Sequence, residues 1–170
     1  MFVKHDKKKS FLVIGLGRFG SSFAKNIMSL GCEVVAVDED MDKISKICDH
    51  VTESMAGNIH DENFLKSLGI PEFDGVVVAI GHDIQSSILI SALVRELGAQ
   101  YLIAKASDDL HEKILQKIGV DWVVTVEREM GKKVAFSLYS KRIIDSLELT
   151  PDFRFVELKV IQEWEKKRVD

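Results

Sequence analysis

Short apolar runs alternate with amphipathic stretches along most of the chain. The strand-like runs are Phe11–Leu16, Val34–Asp38, Val51–Met55, Val76–Ile80, Tyr101–Lys105 and Trp122–Val126. Several are continuous in Val, Ile and Leu, as expected of strands covered on both faces of a parallel sheet. Between them, Phe19–Leu30, Met41–Ile47, Asp61–Leu68, Ile84–Leu97 and Leu110–Ile118 show helical spacing. Gly31, Gly69, Gly98 and Gly119 follow four of these segments, where a left-handed helix cap favours glycine. The alternation predicts an α/β chain with a Rossmann-like, doubly wound parallel sheet and right-handed crossovers.

The rhythm then changes. Arg128–Leu147 reads as a longer helix with two adjacent apolar rows, Met130, Val134 and Leu138 beside Ala135, Tyr139 and Ile143. So broad a stripe either packs on its own sheet or belongs to an exchanged or dimer-forming helix. After Thr150-Pro151, the stretch DFRFVELKV nearly alternates at Phe153, Phe155, Leu158 and Val160. It reads as a half-buried strand with no evident hairpin partner.

Candidate chemistry sits at the first strand–helix junction. Gly15, Gly17 and Gly20 form GxGxxG, with Leu16, Arg18 and Phe19 between them. The first glycine permits a tight turn, the second lets backbone approach a pyrophosphate, and the third lets helix and strand pack closely. The helix N-terminus offers free N–H groups and a partial positive charge to phosphates. Asp38 closes the second strand at the spacing expected of a carboxylate that accepts from ribose hydroxyls. With Glu39 beside it, a 2′-phosphate would be repelled, which disfavours NADP. Arg18 could reach a terminal phosphate; the bland alternative, a solvated arginine at a helix N-terminus, is electrostatically unfavourable. Asn58, the turn Ala79-Ile80-Gly81-His82, Lys105 and Glu127 stand at later strand ends, where ligands of open α/β sheets lie. His82 suits a loop histidine better than a catalytic base. Lys105 is either a phosphate ligand or an ordinary strand-end lysine. Glu127 is either a cation ligand beside phosphates or a first-turn helix acid.

Composition narrows the function. The 170 residues are 46% hydrophobic and 29% charged, as in soluble globular proteins, with a formal charge of -4. That charge gives no reason to expect nucleic acid as partner, and the apolar runs are too short and broken for direct membrane insertion. The N-terminal MFVKHDKKKS lacks the apolar core of a signal peptide and reads as a solvated tail. Cys32 and Cys48 form no framework or metal pair, which fits a reducing cytoplasm. No HExxH, GxSxG or GxxxxGK[ST] occurs, and no Ser/Tyr/Lys set stands at catalytic spacing. A nucleotide site with no reactive groups or substrate domain beside it points to sensing rather than catalysis, so no catalytic residue is expected. The alternative is the nucleotide-binding part of an NAD-dependent oxidoreductase.

The blocks GLGRFG, VAVDED, AGNIHDENFLKSLGI, VVVAIGHDIQSSILISALVRELG and HEKILQKIGVDWVVTVEREMGKKVA occur in order over about residues 10–150. In these the chain resembles the RCK (TrkA-N) domain family, the KtrA/TrkA-type cytoplasmic regulatory subunits of bacterial potassium transporters. The resemblance implies a regulatory subunit, not an enzyme, that gates a membrane potassium-conducting subunit of KtrB/TrkH type. It implies a homodimer formed through a crossover helix, commonly assembled into an octameric ring. It implies ATP/ADP or NAD(H) as the sensed ligand.

Carried onto this chain, it gives a phosphate loop of Gly15, Gly17, Arg18, Phe19 and Gly20, with Asp38 on the ribose. Asn58, Ile80 and Gly81 would line the adenosine side, with Glu39, Ile59, Ala79, His82 and Gln85 completing the cofactor-binding set. Lys105 would contact the nucleotide, Arg18 would read a terminal phosphate from a neighbouring subunit, and Glu127 would face a cation between nucleotides. The expected organisation is a flexible tail at 1–9, the nucleotide-binding lobe at 10–127, a crossover and dimerisation helix at 128–150, and at 151–170 the start of a truncated or reduced C-terminal lobe.

Overall fold

The computed structural model describes residues 8–139, 143–150 and 153–158, the last two spans as backbone. The chain divides into two units, Met1–Thr125 and Val126–Asp170.

The first unit is the expected α/β sheet. Its strands are β1 (Ser10–Ile14), β2 (Glu33–Asp38), β3 (Glu53–Ala56), β4 (Gly75–Val78), β5 (Leu102–Lys105) and β6 (Trp122–Val124). All pair in parallel, in the order β3-β2-β1-β4-β5-β6, which is the doubly wound dinucleotide-fold order. Leu12, Val13 and Ile14 of β1 and Val76, Val77 and Val78 of β4 are fully buried, because helices cover both faces of the sheet centre. Strand order reverses between β1 and β4, so their carboxyl ends open a crevice there.

The helices are α1 (Arg18–Ser29), α2 (Met41–Ile47), α3 (Glu62–Ser67), α4 (Ile84–Glu96) and α5 (Asp109–Ile118). Gly119 caps α5 in the left-handed region at φ 91°, and Gly31, Gly69 and Gly98 also take positive φ. At their N-termini four helices are capped by their own aspartates. Asp40 accepts from Asp42 N–H at 2.9 Å, Asp61 from Asn63 N–H at 2.9 Å, Asp83 from Ser86 N–H at 3.1 Å, and Asp108 from His111 N–H at 2.8 Å. Each bond satisfies an amide that the helix cannot pair itself. The fifth helix, α1, follows Gly17, with no side-chain cap and no acid in its first turn.

The second unit departs from expectation. Helix α6 spans Val126–Tyr139, and Ile143–Thr150 is a strand, β7, so the helix does not continue to Leu147. Ile143 and Ile144 are β-branched and Leu147-Glu148-Leu149 alternates, both of which favour a strand. The last apolar member of the helical row, Ile143, therefore belongs to β7. The strand expected from Phe153 is β8 (Phe153–Leu158), and it does have a hairpin partner: it pairs antiparallel with β7, Thr150 opposite Phe153 and Ile143 opposite Leu158. The expected tail over residues 1–7 and lobe residues 159–170 lie outside the described residues. Lys9, at the other end of the tail, is already anchored, its carbonyl accepting from Glu33 N–H at 2.8 Å.

Candidate functional site

The crevice is built by backbone first. Gly15 N–H donates to Val37 O at 2.8 Å and Ala79 N–H donates to Ile14 O at 2.8 Å, pinning the turn after β1 between its two neighbours. Gly15 has φ 94°, and a Cβ there would also press on Ala79 backbone and Ile80 at 3.2 Å. Nothing lies within 4 Å of where a Gly17 Cβ would stand, so its backbone is open to an approaching group. The first amides of α1, left uncapped, face this opening with the positive end of the helix dipole.

Asp38, at the end of β2, is 6% exposed. Its Oδ2 accepts from Leu16 N–H at 2.6 Å and its Oδ1 from Asp40 N–H at 2.9 Å. The Lys43 ammonium, from the first turn of α2, donates to both oxygens at 3.1 Å. Burial alone would raise this carboxyl, but the Leu16 and Asp40 amides and Lys43 outweigh it and hold it below the usual aspartate range. Glu39 turns the other way and accepts from Ile59 N–H at 3.2 Å, tying the segment after β3 to the end of β2. Opposite, the Ser86 hydroxyl donates to Asp83 Oδ2 at 2.5 Å and lies 3.4 Å from His60 Nε2. These bonds from the Ser86 hydroxyl and amide hold the Asp83 carboxyl below its ordinary value.

Gly15, Gly17, Asp38, Glu39, Ile59, Ala79, Ile80, Gly81 and His82 line one cleft of about 260 Å³. That is small against the ~300–1,000 Å³ usual for ligand sites, and suits one end of a ligand whose remainder lies along the open glycine turn. Lys43, His60, Asp83 and Ser86 complete the wall and were not anticipated. Asp83 was legible as the helix-capping aspartate before α4; Lys43 and His60 had no periodic signal.

The other expected residues sit outside the lining. Arg18 is exposed on the first turn of α1. The Phe19 ring tilts against Phe23 at 6.3 Å. Gly20 packs beneath the turn, and Asn58 and Gln85 are exposed. Lys105 ends β5 with its side chain over Gly81, its Nζ 3.3 Å from where a Gly81 Cβ would stand. Glu127 belongs to the second unit, in the first turn of α6. Among the described residues no three His, Cys, Asp or Glu side chains gather as a cation site.

Comparison with known proteins agrees with this fold. The TrkA-N domain matches residues 11–126, the whole sheet with its cleft. The chain belongs to the TrkA-N domain family. It is 44% identical over 151 residues to Ktr system potassium uptake protein C of Bacillus subtilis (strain 168), covering 89% of this chain and 68% of that protein. It is 39% identical over 163 residues to Ktr system potassium uptake protein A of the same organism, covering 96% and 73%. These TrkA-N relatives are named for potassium uptake, not for a catalysed reaction.

Among solved structures, the TrkA-N domain of an Escherichia coli inner membrane protein superposes with TM-score 0.68 at 19% identity, over 78% of this chain and 98% of that one. The GsuK channel bound to NAD superposes with TM-score 0.65 at 18% identity, over 76% of this chain and 24% of that one. GsuK bound to ADP gives 0.64 at 18%, over 76% and 34%. At these identities the likeness establishes the TrkA-N fold. No helix of the described residues is long and apolar enough to cross a membrane.

Proposed function

We propose that this TrkA-N protein is a nucleotide-sensing regulatory subunit of a membrane potassium transporter, cytoplasmic and held to the membrane by its partner. The observation that carries the reading is the start of α1: among five helices of its unit it has no side-chain cap, and it opens at the sheet's switch point beside the Asp38 cleft. Phosphates would lie on the amides after Gly17, and the adenosine end in the cleft. The Ktr names of its relatives support the potassium system, and GsuK, solved with NAD and with ADP, supports an adenine dinucleotide or nucleotide as the class of ligand. A membrane subunit of KtrB/TrkH type would be the partner.

Self-association completes the proposal. Met130, Val134 and Leu138 recur every fourth residue on α6 and are 54%, 50% and 75% exposed. Such an apolar row is covered economically by the same helix of a second copy, giving a homodimer, and a second interface between such dimers would build the octameric ring. A nucleotide would then act through its different affinity for two shapes of that assembly.

The deciding experiment is a thermal-shift titration with ATP, ADP, NAD and NADH, since a ligand of the folded state raises Tm with concentration. Concentration-dependent shifts with at least one are expected, and none with any of them rejects the reading. Arg18→Ala should narrow the difference between ATP and ADP while leaving adenosine-end binding intact. Equal loss of both nucleotides removes Arg18 from that role.

A further inference from the structure

The seat assigned to a ribose is already filled from within the chain. An ionised carboxylate has about four acceptor positions, and on Asp38 all four are taken. Oδ1 accepts from Asp40 N–H at 2.9 Å and Lys43 at 3.1 Å, and Oδ2 from Leu16 N–H at 2.6 Å and Lys43 at 3.1 Å. A ribose diol brings two O–H donors and needs two of these positions.

The four bonds are not equally replaceable. Leu16 N–H is part of the turn between β1 and α1, and Asp40 N–H belongs to the residue that caps α2. Neither can leave without refolding its loop. Lys43 stands on a flexible four-carbon stem, and its side chain is 41% exposed while that of Asp38 is 8% exposed. Both bonds it makes are the ones a diol can take.

We propose that Lys43 is a specificity-determining residue of the cleft, an internal competitor that holds Asp38 until a ribose 2′,3′-diol exchanges with it. This rests on reading the cleft as a nucleotide site. The exchange has two consequences. A ligand with the full diol displaces the whole ammonium contact, so part of its hydrogen bonding is spent on the release. A ligand lacking the 2′-hydroxyl leaves one oxygen that Lys43 recovers, so the native protein discriminates weakly between ribose and 2′-deoxyribose.

The test measures ADP and 2′-deoxy-ADP binding by calorimetry at physiological salt, for the native protein, Lys43→Met and Lys43→Arg. An ion pair of this exposure opposes ligand by about two- to fivefold. Lys43→Met is therefore expected to bind ADP tighter by about that factor, and to show a larger ratio of the 2′-deoxy-ADP to the ADP dissociation constant. Lys43→Arg, whose fork grips a carboxylate more firmly, is expected to bind ADP more weakly than the native protein. If Lys43→Met binds both ligands more weakly with an unchanged ratio, Lys43 attracts phosphate instead and the exchange is wrong. Equal binding by all three proteins overturns it as well, with the nucleotide site standing. If the native protein and Lys43→Met both bind neither ligand, the nucleotide reading falls and the exchange with it.

Discussion

Gly20 lies so close beneath Gly15 that a Cβ on Gly20 would stand 2.0 Å from the Gly15 carbonyl oxygen and 2.9 Å from Ala79 Cβ. The glycine turn, the first helix and the segment after β4 are in contact through this one missing side chain. Gly20→Ala is therefore expected to cost ~3 kcal/mol or prevent folding, because the opposing atom is backbone and cannot turn aside. Gly17→Ala meets open space at a φ any residue adopts, so stability should change by less than ~1 kcal/mol while nucleotide affinity falls. Urea denaturation of the two variants checks the contrast. Equal stability losses would show that the turn is not packed as described.

Asp38 makes stability depend on acid. Its folded-state pKa is the lower one, so its contribution is present above the unfolded-state value, near 3.8, and is lost as pH falls through the folded value. Asp38→Asn should flatten the loss of stability below about pH 4. At pH 7 it should cost about 1–3 kcal/mol through the weakened bonds to Leu16 N–H and Lys43. Denaturation midpoints followed from pH 3 to 7 in both proteins measure this; parallel curves would contradict it.

Arg95 closes the far side of the unit. Its guanidinium donates to Ala99 O at 2.9 Å and Gly119 O at 2.6 Å and pairs with Asp121, whose carboxylate also accepts from Leu102 N–H at 2.7 Å. One side chain thus ties the ends of α4 and α5 to the starts of β5 and β6. Arg95→Met should lower stability by about 2 kcal/mol, with faster hydrogen exchange at the C-terminal turns of both helices. Protection unchanged at both turns would place the load elsewhere.

The apolar row of α6 offers a direct test of self-association. Val134→Glu puts a charge at the middle of the Met130–Val134–Leu138 row, and should weaken association at least tenfold without changing nucleotide binding to the monomer. Sedimentation velocity over a concentration series reads the first effect and calorimetry the second. An unchanged association constant would move the interface off this face.

The sheet and the glycine turn were readable because each rests on a local rule. Continuous Val/Ile runs mark strands buried on both faces, and Gly15 and Gly20 stand where a side chain would press on neighbouring backbone, while Gly17 keeps an open approach. The expected start of β3 at Val51 was early: Val51 is buried, but it follows the 3₁₀ turn Cys48–His50 and the ladder begins at Glu53. Ile143 fell into the period of Met130–Tyr139 by spacing, which masked the β-branched Ile143-Ile144 pair, and its pairing with Leu158 shows the strand. The Asp38–Lys43 pair spans a strand–helix junction at a separation of five, which no helical or strand period marks. His60 and Ser86 meet across twenty-six positions, a contact that only the folded sheet creates.

The aspartates that begin α2, α3, α4 and α5 bear on where an anion can settle. Each places a negative charge over amides that would otherwise attract one, so four of the five helix starts in the unit repel phosphate. The glycine before α1 is selective by contrast with these neighbours. On the proposed nucleotide reading, the address for a phosphate is written as much by the four doors held shut as by the one left open.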